Sequence, residues 1–225
     1  MTAKDKYKKI NRKIRNTSIF ARLLVKICNI NIISDIKKLK NDNANLFVSN
    51  HLSYLDILCI AAVIPVSFIS TKEVEHSPLL GLFAKAAGSI FIERRNKKKL
   101  LSDIEQIKNI LNANLNLHLF PEGTTTKGQM LPFKSSFFKL AENSTINIKN
   151  ICIKYTKIND KPVNSANGDL VFYYGDMTFW RHFFNFLKIK KLNIELLYAG
   201  ELKNLRGRKE IAIKSYNQIK TIYNQ

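Results

Sequence analysis

The stretch ANLFVSNHLSYLDILCIAAV, residues 44–63, changes rhythm in its middle. Its opening ANLFV is an apolar run of strand length, and the closing YLDILCIAAV is long enough to be a buried helix. A strand that passes to a helix through a polar turn is the repeating unit of an α/β sheet. The turn holds His51, and Asp56 follows five positions later. On a continuous helix such residues sit about 140° apart and do not face one another. They meet only if His51 lies in the turn and Asp56 on an early helical turn, with Ser53 as the cap between them. Spacing alone leaves three roles open: a catalytic pair, two ligands of a metal, or the polar ends of a helix start.

Further short apolar runs occur at VSFIS, SIFIE, LNLHLF, INIKNICIKY, DLVFYY and LNIELLYA. Helical stretches at 53–64, 78–87, 97–114 and 134–143 separate most of the early ones, and an amphipathic helix closes the chain at about 206–222. This alternation predicts a mixed, partly parallel central sheet of about seven strands flanked by helices. No repeat or Pro/Gly-rich linker divides the 225 residues. The expected organisation is one domain at 41–225 behind a basic helical segment at 1–40.

That segment carries 12 Lys or Arg against two acidic residues, which is half of the chain's net charge of +20. Such a concentration seeks anions, either nucleic acid or an anionic membrane surface. Within it, KIRNTSIFARLLVKICNI interleaves basic and apolar residues at helical spacing, the pattern of a helix lying in a membrane interface or of a core helix with a solvated basic face. The longest uncharged stretch, Ile57 to Thr71, has 15 residues and contains Pro65, so no spanning helix is expected. Arg22 and Lys26 break the only candidate signal sequence. Cys28, Cys59 and Cys152 sit singly in apolar surroundings, which suggests a reducing compartment and buried thiols.

The polar residues are informative at the strand ends. His51 follows the first strand, GSIFIERR ends in Glu93, Arg94 and Arg95, and LHLFPEGTTTKG runs from a strand into Pro121, Glu122, Gly123 and Thr124. Open α/β sheets bind ligands outside the carboxyl ends of their strands. No G-x-S-x-G and no Gly-rich phosphate loop occurs. A metal site would use His51, Asp56 and Glu122. His118 reads as a strand residue, and His76 and His182 as loop or helix-surface residues. The remaining chemistry is general-base catalysis, in which a carboxylate fixes one imidazole nitrogen and the other takes a proton from a substrate hydroxyl.

NHLSYLD, GSIFIER at 88–94 and FPEGT at 120–124, in this order and at these separations, resemble the blocks of the glycerolipid acyltransferases of the 1-acylglycerol-3-phosphate type. The resemblance extends through LPFKSSFFKLA at 131–141 and YYGDMTFWRHF at 173–183. It implies an O-acyltransferase with His51 and Asp56 as the catalytic dyad. It also implies that Arg94, Glu122, Gly123 and Thr124 bind the acceptor, a lysolipid of the lysophosphatidic acid or lyso-ornithine lipid kind. No cofactor or metal is implied, and the acyl-CoA or acyl carrier protein thioester is a co-substrate. The expected partner is the anionic cytoplasmic face of a cell membrane, docked through residues 1–40 as a peripheral or monotopic protein in phospholipid biosynthesis, with no nucleic acid. The rival from charge alone is a non-catalytic basic membrane- or nucleic-acid-binding protein. Asn150 stands where the family usually has proline, and Thr125 where arginine often follows FPEGT.

Overall fold

A computed structural model describes residues 3–36, 44–76, 80–93, 97–142, 144, 146–203 and 206–225. Its centre is an eight-stranded sheet in the order β1-β8-β6-β2-β5-β3-β4, with β7 hairpinned onto β6. The strands are β1 (Ile30–Ser34), β2 (Leu46–Ser49), β3 (Ser67–Thr71), β4 (Ile90–Ile92), β5 (Leu117–Leu119), β6 (Ile148–Ile158), β7 (Lys161–Pro162) and β8 (Leu192–Leu202). β2 to β6 run parallel, whereas β8 is antiparallel to β6 and parallel to β1. Asn159 and Asp160, both at positive φ, turn the β6–β7 hairpin, as a two-residue turn requires.

The helices are α1 (Ala3–Ile27), α2 (Leu55–Val63), α3 (Lys72–Glu75), α4 (Leu80–Ala86), α5 (Lys97–Asn112), α6 (Phe179–Phe186) and α7 (Arg208–Tyr223). Because strand side chains alternate, the sheet separates two cores. Phe47, Ile151, Ile153 and Tyr155 pack towards α1 and α2 with Leu55, Cys59 and Ile60. Leu46, Val48, Leu117, Leu119 and Cys152 pack on the other face with Ile107 and Ile110 of α5 and Ile211 and Ile219 of α7. Each such aliphatic side chain removed from water contributes about 1.5–3 kcal/mol. Ile14, Ser18 and Ala21 form the buried stripe of α1, which packs on α2, and Arg22 Nε–H donates to Ala62 O at 2.9 Å.

Several elements depart from the expectation: the stretch expected as a helix at 134–143 holds a 3-10 helix at Ser135–Leu140, and α3, α6 and β7 were not expected. DLVFYY is not a strand: residues 168–170 form a 3-10 turn, and Val171 and Phe172 are buried beneath it, with Phe172 edge-on to Tyr155. INIIS at 30–34 was not expected as a strand. It pairs with β8, more than 150 residues away. The boundary expected between residues 40 and 41 lies outside the described residues. Among the described residues, no helix is long and apolar enough to cross a membrane. Cys28, Cys59 and Cys152 are free thiols, with Cys28 only partly buried.

Candidate active site

The site forms where β2 ends between its neighbours β5 and β6. Past Ser49 the backbone ladder to β6 stops, and the Asn50 side chain continues it. Its Nδ2–H donates to Ile153 O at 2.9 Å, and its Oδ1 accepts Ile153 N–H at 2.8 Å. A buried primary amide thus replaces one peptide pairing and fixes the direction in which the chain leaves the sheet.

His51 follows, and α2 starts at Leu55 with Tyr54 rather than Ser53 as its cap residue. Ser53 Oγ makes only a long contact, 3.4 Å from Leu55 N. Asp56 reaches back from the first helical turn instead: its Oδ2 accepts Leu52 N–H at 2.7 Å and Ser53 N–H at 2.9 Å. These two backbone donors lie in the turn just ahead of the helix, and successive N–H groups converging on one point suit an anion. The same Oδ2 accepts His51 Nδ1–H at 2.8 Å, so the spacing argument for a turn-to-helix meeting holds. Asp56 is 0% exposed and His51 15%. A carboxylate on Nδ1 places the imidazole proton there and leaves Nε2 as the basic nitrogen. No described residue hydrogen-bonds Nε2.

Three further groups hold this pair. Phe120, just past the end of β5, stacks on the imidazole with ring centres 3.9 Å apart and planes 15° apart. Tyr155 donates its O–H to Asp56 Oδ1 at 2.7 Å. β6 outruns β2 on the shared end of the sheet, with Ser49 opposite Ile151, so Tyr155 stands beside the turn. Burial and the neighbouring Asp56 raise the Tyr155 hydroxyl well above the ordinary tyrosine range, which keeps it a donor. Glu122, expected to touch the acceptor, is fully buried and accepts His51 N–H at Oε1 and Leu131 N–H at Oε2, both at 2.9 Å. Burial pushes its carboxyl up to about 7, and the two backbone donors pull it the other way.

Gly123, at φ 69°, and Thr124 are exposed at the rim beside this clasp. The left-handed backbone at Gly123 lets the chain turn back after Glu122. β4, the strand that leads to Arg94, ends three strands from β2, about 14 Å across the sheet. Arg94 itself lies outside the described residues. Asn150 faces away from the dyad and donates to Gln218 Oε1 of α7 at 2.6 Å. Thr125 is partly buried in the loop after Thr124.

The other histidines serve the scaffold. His118, buried in β5, meets Ser49 Oγ at 3.0 Å, and burial lowers it to about 3, so it is neutral. His182 is buried rather than on the helix surface, and accepts the Tyr54 O–H at Nδ1 at 3.0 Å. Among the described residues, no three His, Cys, Asp or Glu side chains are grouped to hold a metal. The His51 Nδ1 and both Glu122 oxygens are already engaged. Tyr155 and the Asn50 clasp were not foreseen. An Asn immediately before the histidine was a signal for the latter, whereas nothing local marks Tyr155.

A histidine backed by a buried carboxylate at a parallel strand end is an arrangement that general-base chemistry can use. The family model described as Acyltransferase matches residues 31–154, and the chain belongs to that family. The chain is 30% identical over 195 residues to a lyso-ornithine lipid O-acyltransferase of Brucella abortus (strain 2308), a match covering 83% of this chain and 73% of the relative. It is 32% identical over 117 residues to a 1-acyl-sn-glycerol-3-phosphate acyltransferase of Neisseria gonorrhoeae, covering 52% of this chain and 46% of that protein. The crystal structure of the 1-acyl-sn-glycerophosphate (LPA) acyltransferase PlsC from Thermotoga maritima shares the fold with a TM-score of 0.63 at 18% identity, across 100% of this chain and 83% of that one.

Proposed function

We propose that this protein is an O-acyltransferase that moves a fatty acyl group from a thioester to the free hydroxyl of a lysolipid. The observation that carries the reading is the His51–Asp56 hydrogen bond of 2.8 Å, which leaves Nε2 without a hydrogen-bond partner among the described residues. Nε2 takes the proton of the acceptor hydroxyl as its oxygen forms a bond to the acyl carbonyl carbon. The carbon–sulfur bond then breaks, and the imidazolium returns the proton to the departing thiolate. Asp56 stabilises the imidazolium and keeps its tautomer. Glu122 and Phe120 hold the base, so that Glu122 acts as a positioning residue. The donor is acyl-CoA or acyl carrier protein, and the chemistry needs no further cofactor.

The acceptor in this reading is 1-acylglycerol-3-phosphate, giving phosphatidic acid. Lyso-ornithine lipid is a second reading, favoured by the 83% coverage in the match to the Brucella protein. Arg94, beyond the end of β4, would grip the acceptor's phosphate or carboxylate by a bidentate contact. The enzyme docks at the cytoplasmic face of a membrane through its basic residues 1–40. The deciding experiment is a panel of both acceptors with both kinds of thioester, run with wild type and Arg94→Lys. Loss of acceptor use with donor affinity unchanged supports this assignment. Impaired donor use with both acceptors unaffected would move Arg94 to the thioester side.

A further inference from the structure

Two helices carry apolar stripes that face solvent. On α6, Trp180, Phe184 and Leu187 recur at i, i+4 and i+7 and are 51%, 58% and 50% exposed, while His182 and Phe186 on the opposite face are buried. On α1, Ile19, Phe20, Leu23 and Ile27 are exposed on the side opposite the buried Ile14, Ser18 and Ala21. The stripes approach each other at a surface groove lined by Ile27 and Cys28 from the end of α1 and by Phe186 and Leu187 from the end of α6. A solvated helix of a globular protein keeps charge on its outer face, so this arrangement is unpaired rather than ordinary.

The rim identifies what covers it. From Trp180 to Lys191 the chain has four basic residues and no acidic one, and Arg181, Lys188 and Lys190 are exposed beside the stripe. Arg22 and Lys26 are exposed beside the stripe of α1. Aromatic and aliphatic side chains at the centre with Lys and Arg at the edge match the boundary between acyl chains and anionic headgroups. A second copy of the chain would set these cations against each other.

The buried side of α6 abuts the catalytic turn. Tyr54, three residues after His51, donates to His182 and packs against Phe179 with ring centres 5.0 Å apart. Tyr173 N–H donates to Leu52 O at 3.1 Å. We propose that the Trp180–Phe184–Leu187 face of α6, together with the outer stripe of α1, seats in an anionic phospholipid bilayer. This sets the His51 turn at the membrane surface, where a lipid acceptor resides. The proposal extends the docking surface beyond residues 1–40 and rests on the lysolipid reading for its purpose.

Trp180 is the only tryptophan, so the full-length wild-type protein reports on this face directly. With phosphatidylglycerol/phosphatidylethanolamine vesicles, its emission should shift to the blue and be quenched by brominated acyl chains. Phe184→Ser/Leu187→Ser should weaken vesicle partitioning at least tenfold and leave both the melting temperature and turnover of a short-chain lysolipid below its micelle concentration unchanged. The proposal is overturned if the protein pellets with vesicles while Trp180 stays unshifted, or if it does not pellet at all. It is likewise overturned if the shift follows protein concentration without vesicles, the behaviour of a dimer contact. If Trp180 is quenched by lipid but wild type acylates no monomeric lysolipid, the docking face stands and the acyltransferase reading fails.

Discussion

Replacing Tyr155 by Phe removes one hydroxyl and leaves the ring in its buried place against Phe172. The lost bond, 2.7 Å, is the one Tyr155 makes to Asp56 Oδ1, whereas Oδ2 keeps His51, Leu52 and Ser53. A hydrogen bond to a charged group contributes about 1.5–3 kcal/mol, and here water cannot replace it because Asp56 is 0% exposed. A loss of about 2 kcal/mol in a chain of this size lowers the melting temperature by roughly 4–8 °C. Three donors still fix Oδ2, so His51 keeps its tautomer, and only the tilt of the carboxylate is released. We therefore expect turnover to fall about tenfold, equivalent to about 1.4 kcal/mol, with little change in acceptor KM. The assay pairs thermal unfolding with single-turnover acyl transfer, in wild-type and His51→Ala backgrounds. In the His51→Ala background the melting shift should persist while the rate effect disappears, because no base remains to be aligned. A Tyr155→Phe protein with both melting temperature and turnover unchanged would refute the assigned role of this bond. An equal rate effect in the His51→Ala background would show that the change acts elsewhere than through the dyad.

His51→Ala should lower turnover by about a hundred- to ten-thousand-fold, with Asp56→Asn somewhat milder, and purified protein in the thioester assay decides it. Glu122→Gln should flatten the pH dependence of stability. The folded carboxyl, at about 7, lies above its ordinary 4.5, so the folded state favours the neutral form. That contribution is complete below pH 4.5 and is lost as the pH rises to about 7, amounting to about 3 kcal/mol. Urea unfolding at pH 5 and pH 8 should show the wild type losing most of this and the variant lacking it. An equal slope in both would remove Glu122 as the titrating group. Asn50→Ala should strand Ile153 N–H and C=O in the core and destabilise by about 2–4 kcal/mol, read by the same unfolding assay.

What the sequence by itself determined is what short-range patterning encodes. Apolar runs such as LFVS and LNIELLYA, and the longer run after Tyr54, identified most strands and helices, because periodicity and length are local properties. The spacing from His51 to Asp56 restricted their meeting to a turn followed by a helix start, and they meet there. Tertiary structure decided the partnerships. INIIS is a five-residue edge strand with an exposed Ile33, too short and too polar on one face to announce itself until β8 offers it an edge. DLVFYY has strand composition, yet Val171 and Phe172 are buried without joining a ladder, with Phe172 edge-on to Tyr155. Tyr155 and Glu122 reach the dyad because β6 and β5 flank β2, and strand order is fixed by contacts across 70 to 100 residues of chain. Local sequence fixes which way a side chain alternates along its own strand, but only the assembled sheet fixes what stands opposite it.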